Sequence, residues 1–107
     1  MIRITLTPRQ KCDTFALLTR KELELRRKKQ GTLHKSGLKK AGQVKWVHRS
    51  YPGWIRMQRS LGGVTVAIVQ SKREGGENQL LASFVGFVDR HFHDQISGIN
   101  ISYDSDG

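Results

Sequence analysis

The chain has 107 residues, 36% of them hydrophobic, with 19 Lys+Arg against 9 Asp+Glu and one cysteine, which fits one small globular unit. No run of about 18 apolar residues is present to cross a bilayer, and the lone Cys12 cannot build a disulfide framework or a multi-thiolate zinc site. The opening MIRITLTPRQKCDTFALL breaks any apolar stretch with Arg3, Thr5, Thr7, Pro8 and Arg9, so no secretory signal and no membrane partner are expected, and the expected setting is reducing and cytoplasmic.

Ile2-Arg3-Ile4-Thr5-Leu6 alternates apolar and polar residues with period two, which predicts a short strand ended by Pro8. Its polar face holds Arg3 and Thr5. From Asp13 to about Lys29 a helix is predicted, because the segment is rich in helix formers and lacks Gly and Pro. Asp13 or Thr14 can cap it, and Glu22 to Arg26 and Glu24 to Lys28 are favourable pairs four residues apart. Its apolar residues do not form one stripe: Phe15, Leu18 and Leu25 lie together, while Ala16, Leu17 and Leu23 point elsewhere. Residues 27–43 hold three Gly and two isolated Leu. So little apolar area cannot offset a backbone entropy of about 1–2 kcal/mol per residue, and a mobile linker is predicted.

Val44-Lys45-Trp46-Val47-His48 predicts a strand, broken by the turn signal Tyr51-Pro52-Gly53, and Trp54 to Arg59 resumes the extended pattern. Leu61-Gly62-Gly63 predicts a hairpin into the β-branched run Val64 to Gln70, and the polar segment from Lys72 to Glu77 reads as a loop. The clearest element is a helix from Asn78, as N-cap, to about His93. At about 100° per residue, Leu80, Leu81, Phe84, Val85, Phe87, Val88, His91 and Phe92 fall within an arc of roughly 160°. Gly98 to Tyr103 alternates as a last strand before a short tail. The predicted fold class is α+β: a small, mainly antiparallel sheet covered on one face by one long amphipathic helix, with a basic N-terminal extension. The division is a basic segment over 1–43 and a compact domain over 44–107. If the Val64 and Ile99 strands run parallel, the intervening residues suffice for a right-handed crossover.

Charge is distributed unevenly along the chain. Residues 1–59 hold 16 Lys+Arg and 3 Asp+Glu, a net of +13, while residues 60–107 hold 3 and 6, a net of −3. Clustered cations attract polyanions by displacing counterions condensed on a phosphate backbone, so nucleic acid is the expected partner. The residues expected to neutralise phosphates are Arg26, Arg27, Lys28, Lys29, Lys35, Lys39 and Lys40. The run from Lys45 to Arg59 interleaves cations with aromatics, and there Trp54 and Arg56 are candidates for base stacking and backbone contact. By alternation Trp54, Arg56 and Gln58 share one face, and Ile55, Met57 and Arg59 share the other. The competing readings are a solvated charged tail, and two tryptophans that are both core residues.

Asp89-Arg90-His91-Phe92-His93-Asp94 invites a metal or acid–base reading, in which Asp89 and His93 share one helix face. Two ligands do not make a site, and no metal, cofactor or catalytic residue is expected. The small residues Ala82 and Gly86 would let another backbone approach the helix, giving a candidate homodimer interface. No phosphate-binding Gly-rich loop, Gly-x-Ser-x-Gly elbow or His-Glu-x-x-His motif is present.

The segments GGVTVAIVQSK, NQLLASFVGFVDRHF and ISGINISY, within Trp46 to Tyr103, resemble small uncharacterised bacterial proteins carried on mobile elements such as integron gene cassettes. The resemblance implies a compact α+β domain, often self-associating, with no established activity, and it transfers no site residue. The expected function is a non-enzymatic basic module that engages nucleic acid through phosphates. The alternative is a homo-oligomeric interaction module whose positive charge is incidental.

Overall fold

A computed structural model describes residues 1–37, 40–73 and 75–103. In chain order the elements are β1 (Ile2–Pro8), α1 (Thr14–Arg27), β2 (Leu33–Lys35), β3 (Gln43–His48), β4 (Trp54–Arg59), a 3-10 turn (Leu61–Gly63), β5 (Thr65–Gln70), α2 (Gly76–Phe92) and β6 (Ile96–Tyr103). The strands form one antiparallel sheet in the order β2-β3-β4-β5-β1-β6. β5 and β6 both run antiparallel to β1, so they share a direction, and α2 joins them across the strand inserted between them.

The cross-strand register sorts the side chains cleanly between the two faces. Ile2, Ile4 and Leu6 lie opposite Val69, Ala67 and Thr65; Ile55 and Met57 continue those rows, and Trp46 and Val44 continue them again. All of these are buried, and they form one core with Phe15 and Leu18 of α1 and Leu80, Phe84, Phe87, Val88 and Phe92 of α2. Both helices therefore cover the same face. Burying the five large side chains of α2 supplies on the order of 10 kcal/mol before entropy is counted, at about 1.5–3 kcal/mol each. Trp46 sits against Phe84 and Phe87 with ring centroids 6.2 and 5.2 Å away, both edge-on.

The sheet is antiparallel as expected, but two helices cover it, and residues ahead of Val44 do not form a basic extension. β1 lies inside the sheet, between β5 and β6. α1 is fixed at its start by Asp13, whose Oδ1 accepts from the Ala16 N–H at 3.2 Å and whose Oδ2 lies 2.9 Å from Arg59 Nη2. The Arg59 guanidinium also lies over the Phe15 ring, 4.9 Å from its centroid. Beside it, Thr14 Oγ1 donates to the Gly63 carbonyl at 2.6 Å, which leaves Thr65 Oγ1 to donate to Thr14 at 2.6 Å.

The segment expected to be a mobile linker holds β2, which pairs with β3 through Leu33, His34 and Lys35, and an isolated bridge between Lys40 and Gln43. α1 stops in a Schellman arrangement: the Gln30 N–H bonds to the Leu25 carbonyl at 2.8 Å and the Lys29 N–H to the Arg26 carbonyl at 3.0 Å, with Lys29 at φ 56°. Leu33, only 2% exposed, anchors the short strand to the core.

α2 starts at Gly76, two residues before the predicted cap. Gly75, at φ 81°, is the N-cap in place of Asn78, and no side chain caps the helix. Gly76 packs closely there, since a Cβ would lie 2.7 Å from Ser71 Oγ and the serine side chain would have to rotate away. No helix among the described residues is long and apolar enough to cross a membrane.

Candidate functional site

Every described carboxylate lies on α1, at its N-cap, on α2 or in the turn after it; none of the six strands contains an Asp or Glu. Among the described residues, the sheet face away from the helices therefore carries cations without carboxylates on its strands. One row across this face reads Ser102, Arg3, Ile68, Arg56 and Lys45, each directly opposite the next in register. The adjacent row reads Asn100, Thr5, Val66, Gln58 and Gln43. Among the described residues, Arg3, Lys45 and Arg56 take part in no ion pair.

Arg56 and Lys45 are direct cross-strand partners. Like charges in that position are destabilising, by an amount comparable to the roughly 0.2–1 kcal/mol that a favourable pair contributes. On α1 a few cations are compensated, although most other Lys and Arg, like this row, take part in no ion pair among the described residues. Arg26 Nε lies 3.2 Å from Glu22 Oε2, Lys28 Nζ 3.4 Å from Glu24 Oε1, and Lys21 Nζ 3.6 Å from the same oxygen. Lys21, and then Lys28, hold the Glu24 carboxyl below its ordinary range.

A shallow depression of about 490 Å³ lies on this open face. Its floor is Val66 and Ile68, Lys45, Arg56 and Gln58 stand around it, and the β2–β3 connection brings Ser36, Gly37 and Lys40 to its side. Trp54 lies on the same face, half-buried, and its Nε1–H donates to Gln70 Oε1 at 3.1 Å, which fixes the ring beside the basic row. Trp46, by contrast, is fully buried, and among the described residues its Nε1 has no hydrogen-bond partner.

The candidate cations named from the sequence do not converge on one surface. Trp54, Arg56 and Lys40 belong to the open face. Arg26, Arg27, Lys28 and Lys29 are exposed at the C-terminal end of α1, in the helical layer, and two of them are engaged by Glu22 and Glu24. Lys35 is half-buried with Glu22, Arg26 and Trp46 around a cavity of about 180 Å³ on the covered side. Lys39 lies outside the described residues. Arg3 and Lys45, which the sequence reading did not select, complete the basic row. Each occupies a polar position in an alternating strand, but only the register shows that they flank Ile68 and Arg56.

His93 does not face the Asp89 carboxylate. Its Nδ1–H donates to the Asp89 backbone carbonyl at 2.8 Å, and its Nε2 lies 3.4 Å from Asp94 Oδ1. Among the described residues no three His, Cys, Asp or Glu side chains are placed to share a metal ion. His91 packs edge-on against Phe87 at 4.8 Å, and burial, aided by Lys21 and Arg90, pushes its pKa below 6.5. Burial likewise lowers His48, whose Nδ1 accepts from the Ser50 and Tyr51 N–H groups at 2.9 and 3.1 Å. On α2, Ala82 is exposed and borders a groove with His48, Tyr51, Asn78, Gln79 and Ser83, while Gly86 is half-buried with open space where a side chain would project.

Comparison of the chain with protein-family models, curated proteins and solved structures finds no match to any of them.

Proposed function

We propose that this chain is a non-enzymatic binding module that engages nucleic acid through its phosphates, on the face of the sheet left open by the helices. The observation that carries this reading is the row of Arg3, Arg56 and Lys45, which take part in no ion pair among the described residues, with Arg56 and Lys45 held directly opposite each other. A folded chain that keeps two like charges directly opposite each other forgoes stability at that spot. A polyanion recovers it, because each phosphate neutralised also releases condensed counterions.

Guanidinium groups suit this task, since their planar fork matches phosphate oxygens, and Lys45 and Lys40 add point charges at the rim. Ile68 and Val66 between the cations offer an apolar floor for sugar or base, and Trp54 presents a fixed ring beside them. None of these groups reads a base edge in a defined geometry, so binding is insensitive to sequence.

The test is titration of mixed-sequence single- and double-stranded oligonucleotides with the whole chain at two salt concentrations. Three or four phosphate contacts predict an affinity loss of roughly 20- to 150-fold between about 50 and 200 mM salt. Absence of binding at the lower salt, or binding indifferent to salt, contradicts the proposal.

A further inference from the structure

We infer that β6 is a self-association edge: two copies of this chain pair their β6 strands antiparallel about a two-fold axis. Among the described residues β6 is hydrogen-bonded to β1 on one side only, so the outward backbone N–H and C=O groups of an eight-residue strand have no sheet partners there. Natural edge strands are blunted by shortness, charge or proline. The opposite edge follows that rule, being the three-residue β2, which carries Lys35. β6, ISGINISY, has no charge and no proline. Its bulge against β1 lies only at its start, where Pro8 faces Ile96.

The side chains of β6 point to the same occupant. Ile99, Ile101 and Tyr103 stand opposite Leu6, Ile4 and Ile2, on the side where the helices lie. The helices do not reach that far, since Ile101 is 37% and Tyr103 67% exposed. On the other side stand Gly98, Asn100 and Ser102, all small or neutral. A strand without charge offers no handle to a charged partner. What it complements is a strand with the same alternation, and antiparallel pairing with its own copy sets Ile99, Ile101 and Tyr103 against their counterparts, with no charge buried.

Electrostatics favour this edge as the place where a chain of net charge +10 meets its copy. The nearest sheet cation, Arg3, lies one strand inward. Across the two-fold axis the two Arg3 strands are three strand spacings apart, about 14 Å, beyond the screening length of about 8 Å at physiological salt. Because only one edge is long and uncharged, the pairing closes as a dimer and does not propagate as a filament. The dimer would carry one continuous sheet with the basic rows on the same face. The inference does not depend on nucleic-acid binding.

The test is sedimentation and light scattering of the whole chain, without nucleic acid, from dilute solution to the millimolar range, for wild type, Ile101→Lys, Tyr103→Lys and Ala82→Glu. The contact is small for a stable interface, so a concentration-dependent dimer is expected, with dissociation in the micromolar range. Both lysine variants should weaken it at least about tenfold by placing charge on the edge, with unchanged thermal unfolding at monomer concentrations. Ala82→Glu should leave it intact. Hydrogen exchange at residues 98–103 should slow as wild type is concentrated. A wild type that stays monomeric throughout, a dimer that ignores both lysines, or one broken by Ala82→Glu instead, overturns the inference.

Discussion

On the covered side of the sheet, several cations around α1 are matched: Arg59 is held by Asp13 and the Phe15 ring, Arg26 by Glu22, and Lys28 by Glu24, while Arg20 and Arg27 take part in no ion pair among the described residues. On the open side Arg3, Arg56 and Lys45 stand in one row, two of them opposed, above a floor of Ile68 and Val66. Both faces belong to the same strands, so the difference lies in alternate side chains. The covered face is organised to hold the molecule together. The open face retains a repulsion that folding alone gives no reason to keep.

The largest effect should come from breaking the covered face. Phe84→Ala removes a fully buried ring that packs on Trp46 and should cost about 3–5 kcal/mol, read as a lower urea midpoint with an unchanged slope. Ile68→Ala, on the same sheet but half-exposed, should cost less than half as much. Next, Thr14→Val leaves the Gly63 carbonyl without its side-chain donor and Thr65 without its acceptor, at a cost of about 1–3 kcal/mol in the same assay.

Lys45→Glu sharpens the comparison, because its two consequences have opposite signs. It turns a like-charge cross-strand pair with Arg56 into an opposite-charge one and should raise stability by roughly 0.2–1 kcal/mol. The same change should weaken oligonucleotide binding more than a neutral Lys45→Ala does. Parallel loss of stability and binding would place Lys45 in the fold's support.

A smaller effect is expected from pH. His48 and His91 titrate below 6.5 in the fold because burial disfavours their charged forms. As pH falls through 6.5 the unfolded chain takes up protons first, so their contribution is present above 6.5 and is lost as pH falls toward their folded values. Thermal unfolding between pH 7 and 5 should show this decline, with a shallower slope in His91→Gln and His48→Gln.

Much of this arrangement was legible in the sequence where periodicity was strong. The apolar arc from Leu80 to Phe92 marked the buried face of α2, and alternation separated Trp54, Arg56 and Gln58 from Ile55, Met57 and Arg59. Three things were hidden, each for a physical reason. β2 is three residues long with one apolar anchor, Leu33, too little pattern to outweigh glycines at 31, 37 and 42, whose positive φ serves turns. α2 starts after Gly75 in the left-handed region, at φ 81°, and not at a capping side chain. The basic row depends on β1 lying beside β5, and long-range strand order leaves no local trace. For that reason Arg3, seen only as a polar-face residue, and Lys45, seen only as the head of the interleaved run, were not joined to Arg56 from the sequence.

The most direct test of the account is the salt dependence of oligonucleotide affinity for wild type against the triple variant Arg3→Ala/Lys45→Ala/Arg56→Ala, with folding checked by circular dichroism. If the open face holds the phosphates, the slope of log affinity against log salt falls in magnitude by about two to three units in the triple variant, at roughly 0.7–0.9 per contact. An unchanged slope would show that the row binds no phosphate, and would contradict the account.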